Sequence, residues 1–359
     1  MRLGALRRRP LAGRDTIVDQ RAGVNVSRSS SRRLIIQIPC RNEEKTLPVT
    51  LDDLPKTIRG IDVIETLIID DGSTDGTLAV AQACGVDHVV HFTAQRGLAK
   101  AFMAGLDACL QRGADIIVNT DGDNQYRGAD IAGLVAPIID GHADMVVGCR
   151  AIEDIRHFSW FKKRLQRWGS GTIRRLSGLD VPDATSGFRA FSREAALRLN
   201  VISDFTYTFE TLIQAGKKNI ATRCVPVRVN PKLRESRLFT SLWQYVRRAA
   251  PGMLRIYATY EPLKVFALLG TVIASVGMLP ILRFLYLFAI GEGGGHVQSL
   301  VLGGALVILG FQVMVIGLLA DLIAANRRLI EDALFRVRKE EAEHALLPLP
   351  PGEGRGEGI

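Results

Sequence analysis

Short apolar runs alternate with amphipathic stretches over the first half of the chain, and this alternation predicts a fold of the α/β class. The apolar runs predict five strands, over residues 34–39, 66–70, 88–92, 115–120 and 143–148. Apolar positions at helical spacing predict helices over residues 43–59, 74–84 and 97–112. Buried strands that alternate with helices form a mainly parallel sheet with helices on both faces. Such a sheet binds ligands beyond the carboxyl ends of its strands.

Two long apolar runs in the last hundred residues, 265–290 and 300–320, predict a two-helix transmembrane hairpin. Each run is close to the roughly 20 residues that span a bilayer. The turn between them, 291–296, contains no Lys or Arg, whereas basic residues lie before and after the pair. By the positive-inside rule, both ends of the hairpin are cytoplasmic. We therefore expect an integral protein of the cell membrane with a cytoplasmic catalytic domain. Two buried core helices are the alternative, and they would need a large soluble partner.

The composition divides the chain into five parts. Residues 1–33 contain nine arginines and predict a disordered basic tail. Residues 34–238 form the α/β domain, and residues 239–262 mix aromatic, aliphatic and basic side chains, as in a segment that lies at a membrane interface. A solvated helix is the alternative there. The hairpin covers residues 263–324, and a cytoplasmic tail covers residues 325–359.

The formal charge of +9 indicates a negatively charged partner. Because the cations cluster in the tail and beside the membrane segment, we expect a membrane surface or a phosphorylated substrate, and no nucleic acid. The five cysteines are scattered, which argues against a disulfide framework or a zinc site and for a reducing compartment. His88 and His91 lie within a short apolar run, where two strand histidines are expected more often than metal ligands.

The residues after the fourth predicted strand are the first candidates for chemistry. Asp121 and Asp123 are two apart in Asp-Gly-Asp-Asn-Gln, so both carboxylates can reach one hard cation if the backbone stays extended. Such an ion would stabilise a diphosphate leaving group. An Asp-x-Asp pair alone is a weak signal, and its context decides its meaning.

Polar turns also follow the first and second predicted strands, at residues 38–44 and 70–77. Each is, by itself, an ordinary strand-to-helix turn with glycines and capping residues. Three such turns at one edge of a sheet favour a nucleotide site. Asp70 and Asp71 would offer hydrogen-bond acceptors to a base or a ribose.

Four segments, Pro39–Glu43, Asp70–Thr77, Asp121–Gln125 and Ser186–Arg189, occur in the order found in family 2 glycosyltransferases with the GT-A fold. The chain resembles this family over roughly residues 34–260. It is most similar to the branch that acts on polyprenyl phosphates, which includes dolichyl-phosphate mannose synthases and has membrane-anchored members.

The resemblance implies a nucleotide-sugar donor and a Mg²⁺ or Mn²⁺ ion held by Asp121, Asp123 and Gln125. It also implies transfer with inversion at the anomeric carbon. The other residues that it implies near the donor are Pro39, Asn42, Glu43, Asp71, Arg96, Gly187 and Arg189. For Arg96, an ordinary surface cation is an equal alternative.

A basic loop just before the hairpin is the candidate site for an acceptor phosphate. Three cations and a serine lie within residues 230–237 and could clamp a phosphate. The family has a similar loop, so Arg234, Ser236 and Arg237 are the predicted contacts. The alternative is a polybasic strip that only attracts anionic lipid, at about 1 kcal/mol per charge.

A phosphate acceptor changes the need for a general base. Its second pKa is near 6, so its oxygen is largely ionised at neutral pH, whereas a sugar hydroxyl needs a carboxylate to take its proton. Two residues are therefore the catalytic candidates. Glu210 is the candidate base, and Asp123 is the catalytic carboxylate of the metal-binding pair. Glu210 is equally explained as a helix residue paired with Lys217 or another neighbour.

Three functions are therefore compatible with the sequence. The favoured one is transfer of one hexose-type sugar to a polyprenyl (dolichyl or undecaprenyl) phosphate at the cytoplasmic leaflet. The others are a polysaccharide or glycolipid synthase with a hydroxyl acceptor, and a non-catalytic nucleotide-binding membrane scaffold. Two membrane spans and the wrong spacing of Leu165–Trp168 for a Gln-x-x-Arg-Trp motif count against a processive polymerase. The hairpin glycines also permit packing against copies of the chain, and hence a homo-oligomer.

Overall fold

A computed structural model describes residues 31–150, 171, 173–202, 207–231, 255 and 257–345. Seven strands form one sheet: β1 Arg33–Cys40, β2 Val63–Asp70, β3 His88–His91, β4 Ile116–Asn119, β5 Met145–Arg150, β6 Arg189–Ser192 and β7 Thr222–Val227. The helices are α1 Leu47–Asp52, α2 Thr77–Ala83, α3 Leu98–Gln111, α4 Ile131–Ile139, α5 Arg193–Arg198, α6 Tyr207–Lys217, α7 Pro262–Ala289 and α8 Val297–His344. The predicted α/β class is confirmed.

The strand order is β3-β2-β1-β4-β6-β5-β7, and only β6 runs antiparallel to its neighbours. The direction of strand addition reverses beside β1, because β2 pairs with one side of β1 and β4 pairs with the other. The carboxyl ends of β1, β2, β4 and β5 lie at one edge of the sheet, and so does the amino end of β6. The turns that follow the predicted strands therefore meet at one edge, together with the segment that precedes Arg189.

Both faces of the sheet are covered by apolar side chains. Ile35 belongs to a core cluster with the α3 residue Phe102, whereas its neighbours Leu34 and Ile36 belong to a second cluster with the α4 residue Leu134. Alternate side chains of a strand point to opposite faces, so this division is the direct result of the consecutive apolar residues Leu34, Ile35 and Ile36 in β1. The predicted arrangement of helices on both faces is confirmed.

The predicted helix over residues 43–59 was wrong in extent, because α1 contains only Leu47–Asp52. Pro48 lies in the first turn of α1, where a missing N–H is tolerated, but Pro55 cannot continue the helix. The side chain of Asp53 then accepts a hydrogen bond from the backbone N–H of Gly128, at 2.7 Å. The segment after α1 is therefore tied to the loop that follows β4.

The two apolar helices α7 and α8 are long and apolar enough to cross a membrane. They contain 28 and 48 residues, and their most apolar 18-residue windows have mean hydropathies of 2.3 and 2.4. Only 11% of each window is buried within the protein, so neither helix is the core helix of a soluble domain. Both are candidate spans of the predicted hairpin.

Five glycines lie at the contact between α7 and α8. A Cβ atom at Gly310 would lie 2.7 Å from the backbone N of Ala274 and the backbone O of Gly270. A Cβ atom would meet equally close neighbours across the hairpin at four other glycines, Gly270, Gly277, Gly303 and Gly317. A Cβ atom at Gly304 would have no neighbour within 4 Å. These five glycines are used inside one hairpin, so the predicted use of hairpin glycines to join copies of the chain stays a prediction.

Helix α8 has no break at residue 324, where the sequence analysis ends the hairpin, and it continues to His344. This extension contacts the α/β domain: Arg338 donates hydrogen bonds to the backbone O of Leu199, at 2.7 Å, and of Leu197, at 3.2 Å. Ala342 is 2% exposed and belongs to the same core cluster as Phe102. Residues 325–344 of the predicted tail are therefore a helix that packs on the α/β domain.

We expect Gly310→Leu to destabilise the hairpin by about 1–3 kcal/mol, because the new side chain has no space against α7. The midpoint of unfolding of the detergent-solubilised protein measures this. Gly304→Leu is the matched control, since both changes raise helix propensity equally and only Gly310 faces a close neighbour. Equal midpoints for the two variants would contradict the described packing.

Candidate active site

The loop after β4 presents the predicted metal-binding residues on one side. Asp121, Asp123 and Gln125 are partly exposed, while the residues between and after them, Gly122, Asn124 and Tyr126, are buried. The backbone is not extended as the sequence analysis required, because residues 122 and 123 form a turn and Asn124 has a φ of +54°. The side chains of residues 121–126 still alternate between partly exposed and buried positions, although the backbone forms a turn and not a strand.

This loop is held from behind by residues of distant segments. The side-chain amide of Asn230 donates to the backbone O of Asn124, at 3.2 Å, and its backbone N–H donates to the backbone O of Gln125, at 2.9 Å. Thr50 donates through its hydroxyl to the backbone O of Gly122, at 3.1 Å. A Cβ atom at Gly122 would lie 2.9 Å from the sulfur of Cys40, so a side chain does not fit there. The two carboxylates thus project from a fixed backbone.

A chain of buried hydrogen bonds connects β1, β4, β6 and α6 beneath this loop. The side chain of Gln37 donates to Asn119 Oδ1, at 2.9 Å. Asn119 Nδ2 in turn contacts the backbone O of Gly187 and the hydroxyl of Tyr207, each at 2.9 Å. A Cβ atom at Gly187 would lie 2.7 Å from the Tyr207 hydroxyl and 3.2 Å from Asp121 Oδ1. Gly187 and Tyr207 are therefore immediate neighbours of the Asp121 carboxylate.

Burial raises the pKa of Tyr207 well above its usual value, and the nearby charge of Asp121 raises it further. The ring stacks on Phe102, with centroids 4.0 Å apart. Tyr207 is therefore a neutral hydroxyl in this site, with its ring fixed by the core and its oxygen directed at the Gly187 turn.

The turns after β1 and β2 are joined to each other by hydrogen bonds. Asn42, with a φ of +55°, accepts at Oδ1 from the backbone N–H of Thr74, at 2.8 Å. The backbone N–H of Glu43 donates to the hydroxyl of Thr77, at 2.8 Å. Pro39 is near the end of β1, two residues beyond Gln37, where the pairing with β4 stops. Of the residues predicted near the donor, Asn42 and Glu43 thus belong to this joined pair of turns, and Pro39 lies at the end of the strand that leads into it.

Asp70 and Asp71 are both almost fully buried, and their carboxylates contact the protein. Asp70 Oδ2 lies 2.8 Å from His91 Nδ1, and Asp71 Oδ1 accepts from the backbone N–H of Arg96, at 2.6 Å. The guanidinium of Arg96 lies 4.6 Å from the centre of the Phe92 ring. Their predicted contacts with the donor stay predictions, and the described contacts fix the turn that leads into α3.

His88 is also paired with a carboxylate, since its Nε2 lies 2.9 Å from Glu65 Oε2 on the neighbouring strand. Within the ranges described above, no group of three His, Cys, Asp or Glu side chains is close enough to hold a metal ion. Both histidines are therefore explained by pairs between β2 and β3.

A buried ion pair supports the Gly187 turn from the other side. Arg150 donates to both oxygens of Asp183, at 2.7 and 3.1 Å, and to the hydroxyl of Thr185, at 2.8 Å. Its guanidinium lies 5.9 Å from the centre of the Tyr126 ring. The Tyr126 hydroxyl accepts from the backbone N–H of Gly187, at 3.3 Å. The ion pair therefore fixes the backbone next to Asp121.

The comparisons with known proteins agree with this geometry. A family model described as glycosyl transferase family 2 matches residues 35–199. Polyprenol monophosphomannose synthase of Mycolicibacterium smegmatis is 30% identical over 189 residues, which are 50% of this chain and 70% of that protein. Glycosyltransferase AglJ of Haloferax volcanii is 30% identical over 301 residues, which are 82% of this chain and 94% of that protein. The chain belongs to glycosyltransferase family 2.

Undecaprenyl-phosphate mannosyltransferase of Micrococcus luteus is also similar to this family 2 glycosyltransferase, with 30% identity over 54% of this chain and 82% of that protein. Among solved structures, glucosyl-3-phosphoglycerate synthase from Mycobacterium tuberculosis, in complex with Mn²⁺, UDP and phosphoglyceric acid, matches with a TM-score of 0.51 at 23% identity. The match covers 63% of this chain and 78% of the other. This likeness confirms the predicted GT-A fold.

The donor set of the glycosyltransferase fits a divalent cation that also binds a ligand. Asp121, Asp123 and Gln125 offer carboxylate and amide oxygens, which hard cations prefer. A site with two carboxylates is incomplete by itself, and oxygens of a diphosphate can supply the remaining positions. A metal ion held by these residues would therefore need a bound ligand for part of its coordination.

Arg189 has a different environment from the one that the resemblance implied. Its guanidinium is fully buried and donates to the backbone O of Ser186, Thr208 and Ala184, at 2.9, 2.8 and 3.1 Å, and to the hydroxyl of Thr211. Burial lowers the pKa of Arg189 below its usual value. Its predicted contact with the donor stays a prediction, and the described contacts connect the Gly187 turn to α6.

Glu210 is 2% exposed and holds the segment before α6. Its two carboxylate oxygens accept from the backbone N–H of Ile202, each at 3.2 Å, and Gln214 donates to it at 3.3 Å. Lys217, the ion-pair partner considered from the sequence, contacts Glu261 instead. The role of Glu210 as a base stays a prediction.

The predicted acceptor contacts Arg234, Ser236 and Arg237 lie outside the described residues, as does most of the segment 239–262 and nearly all of the tail 1–33. Arg228, at the start of the same basic region, forms an ion pair with Asp130, with its Nη2 2.5 Å from Asp130 Oδ1. That cation therefore has a structural partner in the loop before α4.

Several site residues were missed by the sequence analysis, foremost Asn119, Tyr207 and Asn230. A weak signal existed for Asn119, because it is a polar residue in an otherwise apolar strand and is fully buried. Tyr207 and Asn230 gave no local signal, since each reaches the site from a segment about 90 or more residues away.

We expect Asp183→Asn to lower the free energy of unfolding by about 3–5 kcal/mol at pH 7, because it leaves Arg150 buried without its counter-charge. Burial alone would raise the pKa of Asp183, but hydrogen bonds and charge from Arg150 hold it below its usual value. The stability that this carboxylate contributes is present above its unfolded pKa of about 3.9 and is lost as the pH falls further. Denaturant unfolding at several pH values should therefore show the variant approaching the wild type below about pH 4.

Asp180→Asn is the matched control, because Asp180 forms an exposed ion pair with Arg174. We expect it to cost less than about 1 kcal/mol. A similar loss for the two variants would contradict the role of the buried pair.

Proposed function

We propose that this glycosyltransferase transfers one hexose-type sugar from a nucleotide-sugar donor to a polyprenyl phosphate, with inversion at the anomeric carbon. The observation that carries the proposal is the position of the partly exposed Asp121 and Asp123 beside Gly187, in a chain that also carries two candidate membrane spans. Two relatives are named for transfer of mannose with a polyprenol or undecaprenyl phosphate. That agreement supports a lipid phosphate as the acceptor here.

The donor diphosphate would bind at the loop after β4, where Asp121, Asp123 and Gln125 would hold a Mg²⁺ or Mn²⁺ ion. The ion would supply positive charge that stabilises the diphosphate as it leaves. The protein contributes a backbone held in place by Asn230 and Gly122, so the carboxylates need little rearrangement when the donor arrives. The absence of a side chain at Gly187 lets the Tyr207 hydroxyl and the Asp121 carboxylate both approach this turn closely.

The nucleoside would lie over the joined turns after β1 and β2. Asn42 and Glu43 are placed there by hydrogen bonds to Thr74 and Thr77, and Pro39 is at the end of β1. Asp70, Asp71 and Arg96 shape the adjoining turn. We assign these residues to the donor side of the pocket, some by direct contact and Asp70 and Asp71 through the turn that they fix.

The acceptor phosphate would bind the basic segment that contains Arg234, Ser236 and Arg237, between β7 and the hairpin. A phosphate monoester is largely ionised at neutral pH and can attack without losing a proton to a base. The catalytic demand is then to hold the phosphate in line with the leaving diphosphate and to balance the charges of both.

The excess of basic residues on both flanks of the hairpin supports a position of the α/β domain on the cytoplasmic side of the cell membrane. The exposed Cys84 reports on this orientation, because it lies on the surface of the α/β domain. A membrane-impermeant maleimide should label Cys84 only after intact cells are opened. Labelling in intact cells would reverse the assignment.

We expect Asp123→Ala to reduce transfer by about 100-fold or more, because the charge that stabilises the leaving group is lost. Membranes incubated with labelled nucleotide sugars and polyprenyl phosphate should yield a chloroform-soluble product with the wild type only. A chelator should stop the wild-type reaction, and Mg²⁺ or Mn²⁺ should restore it.

Asp140→Ala is the control for this experiment, since Asp140 is an exposed acidic residue at the end of α4. It should leave the rate unchanged. The proposal fails if no donor yields a lipid product, or if Asp123→Ala and Asp140→Ala have the same rate.

Glu210→Gln separates a phosphate acceptor from a hydroxyl acceptor. Glutamine can still accept the hydrogen bond from Ile202, so we expect the variant to keep most of its activity if Glu210 acts by holding that segment. Loss of a general base typically costs about 10²–10⁴-fold. A loss of that size in kcat, with the variant folded as the wild type, would favour a hydroxyl acceptor.

A further inference from the structure

Two cysteines that are 75 residues apart in the sequence meet in the sheet. The sulfur atoms of Cys149 and Cys224 lie 2.7 Å apart. The two residues are on the adjacent parallel strands β5 and β7, whose register pairs Val147 with Cys224 and Cys149 with Pro226. A disulfide bond is about 2.04 Å long, so the two sulfur atoms are about 0.7 Å from bonding distance.

The two cysteines differ in their exposure. Cys149 is 8% exposed, whereas Cys224 is partly exposed on β7, the last strand of the sheet. The contact with Cys224 lowers the pKa of Cys149, and the same contact raises the pKa of Cys224. Loss of one proton from the pair would leave one thiolate next to one thiol. A thiolate is the form of cysteine that reacts with oxidants.

The surroundings of the pair connect it to the active site. Cys149 is followed by Arg150, which holds Asp183 beneath the Gly187 turn. The chain continues from the end of β7 at Val227 to Asn230, whose hydrogen bonds hold the loop of Asp123. A covalent bond between the two cysteines would thus join the two strands that support this edge of the site.

We propose that Cys149 and Cys224 form a reversible oxidation site that closes to a disulfide with a small peroxide as the oxidant. The Cys149 thiolate attacks one oxygen of hydrogen peroxide, the O–O bond breaks, and after uptake of one proton the products are a sulfenic acid and one water. The Cys224 sulfur then attacks the Cys149 sulfur, forms the S–S bond and releases a second water. Two thiols are oxidised by two electrons and one peroxide is reduced to two waters, and a dithiol reductant reverses the change.

The experiment uses the full-length protein in detergent micelles. The protein is treated with hydrogen peroxide, blocked with N-ethylmaleimide under denaturing conditions and digested without reductant for mass spectrometry. We expect a linked peptide pair that contains Cys149 and Cys224, two hydrogens lighter than the two thiol peptides, which dithiothreitol converts back to separate peptides. Cys149→Ser and Cys224→Ser should each abolish this species, and Cys84→Ser, at an exposed cysteine, should leave it unchanged.

Recovery of Cys149 and Cys224 as two separate maleimide adducts, at a peroxide concentration that oxidises Cys84, would overturn the proposal. A linked species that persists in Cys224→Ser would also overturn it, because the sulfur would then have another partner. The result does not depend on the transfer reaction, so failure of this proposal and failure of the proposed function are distinguishable.

Discussion

The hydrogen bonds of Asn119 determine how the active site is assembled. Its amide accepts from Gln37 on β1 and contacts both Gly187 and Tyr207, so one side chain connects the two central strands, the turn before β6 and the start of α6. All these groups are buried, and a buried polar group without a partner costs about 1–3 kcal/mol. In the part of the chain that the structure describes, no buried side-chain nitrogen or oxygen lacks a partner. The same side chain thus joins β1 to β4 and holds the Gly187 turn next to the Asp121 carboxylate.

The turns that we assign to the metal, the nucleoside and the sugar are held by similar buried contacts. The acidic residues differ in where their carboxylates lie: Asp70 and Asp71 are buried against the protein, whereas Asp121 and Asp123 are partly exposed. In the sequence both pairs look alike, as neighbouring carboxylates after a strand. In the folded protein, Asp70 and Asp71 stabilise the turns, whereas Asp121 and Asp123 remain accessible. This difference agrees with a catalytic role in which the second pair supplies charges at fixed positions.

The strands before residue 150 and the turns after them could be predicted because their signals are local. An apolar run and the polar cluster that ends it lie within about ten residues of each other, as at Ile116–Gln125. The short α1 was also predictable in principle, since Pro48 and Pro55 limit it. Contacts such as Arg150 with Asp183, or Cys149 with Cys224, depend on which strands become neighbours. Tertiary packing determines which strands become neighbours, so a local sequence pattern cannot predict these contacts.

The contact face of α8 runs without interruption from the hairpin to the α/β domain. Gly303, Gly310, Gly317 and Ala324 recur every seven residues, and Arg338 follows Gly317 at three times that interval. Seven residues are close to two turns of a helix, so these positions share one side of it. Deleting a single residue after Ala324 would turn Arg338 by about 100° away from Leu199 and bring it about 1.5 Å nearer the hairpin. The distance and the rotation of the α/β domain relative to the hairpin therefore depend on the exact number of residues in one helix.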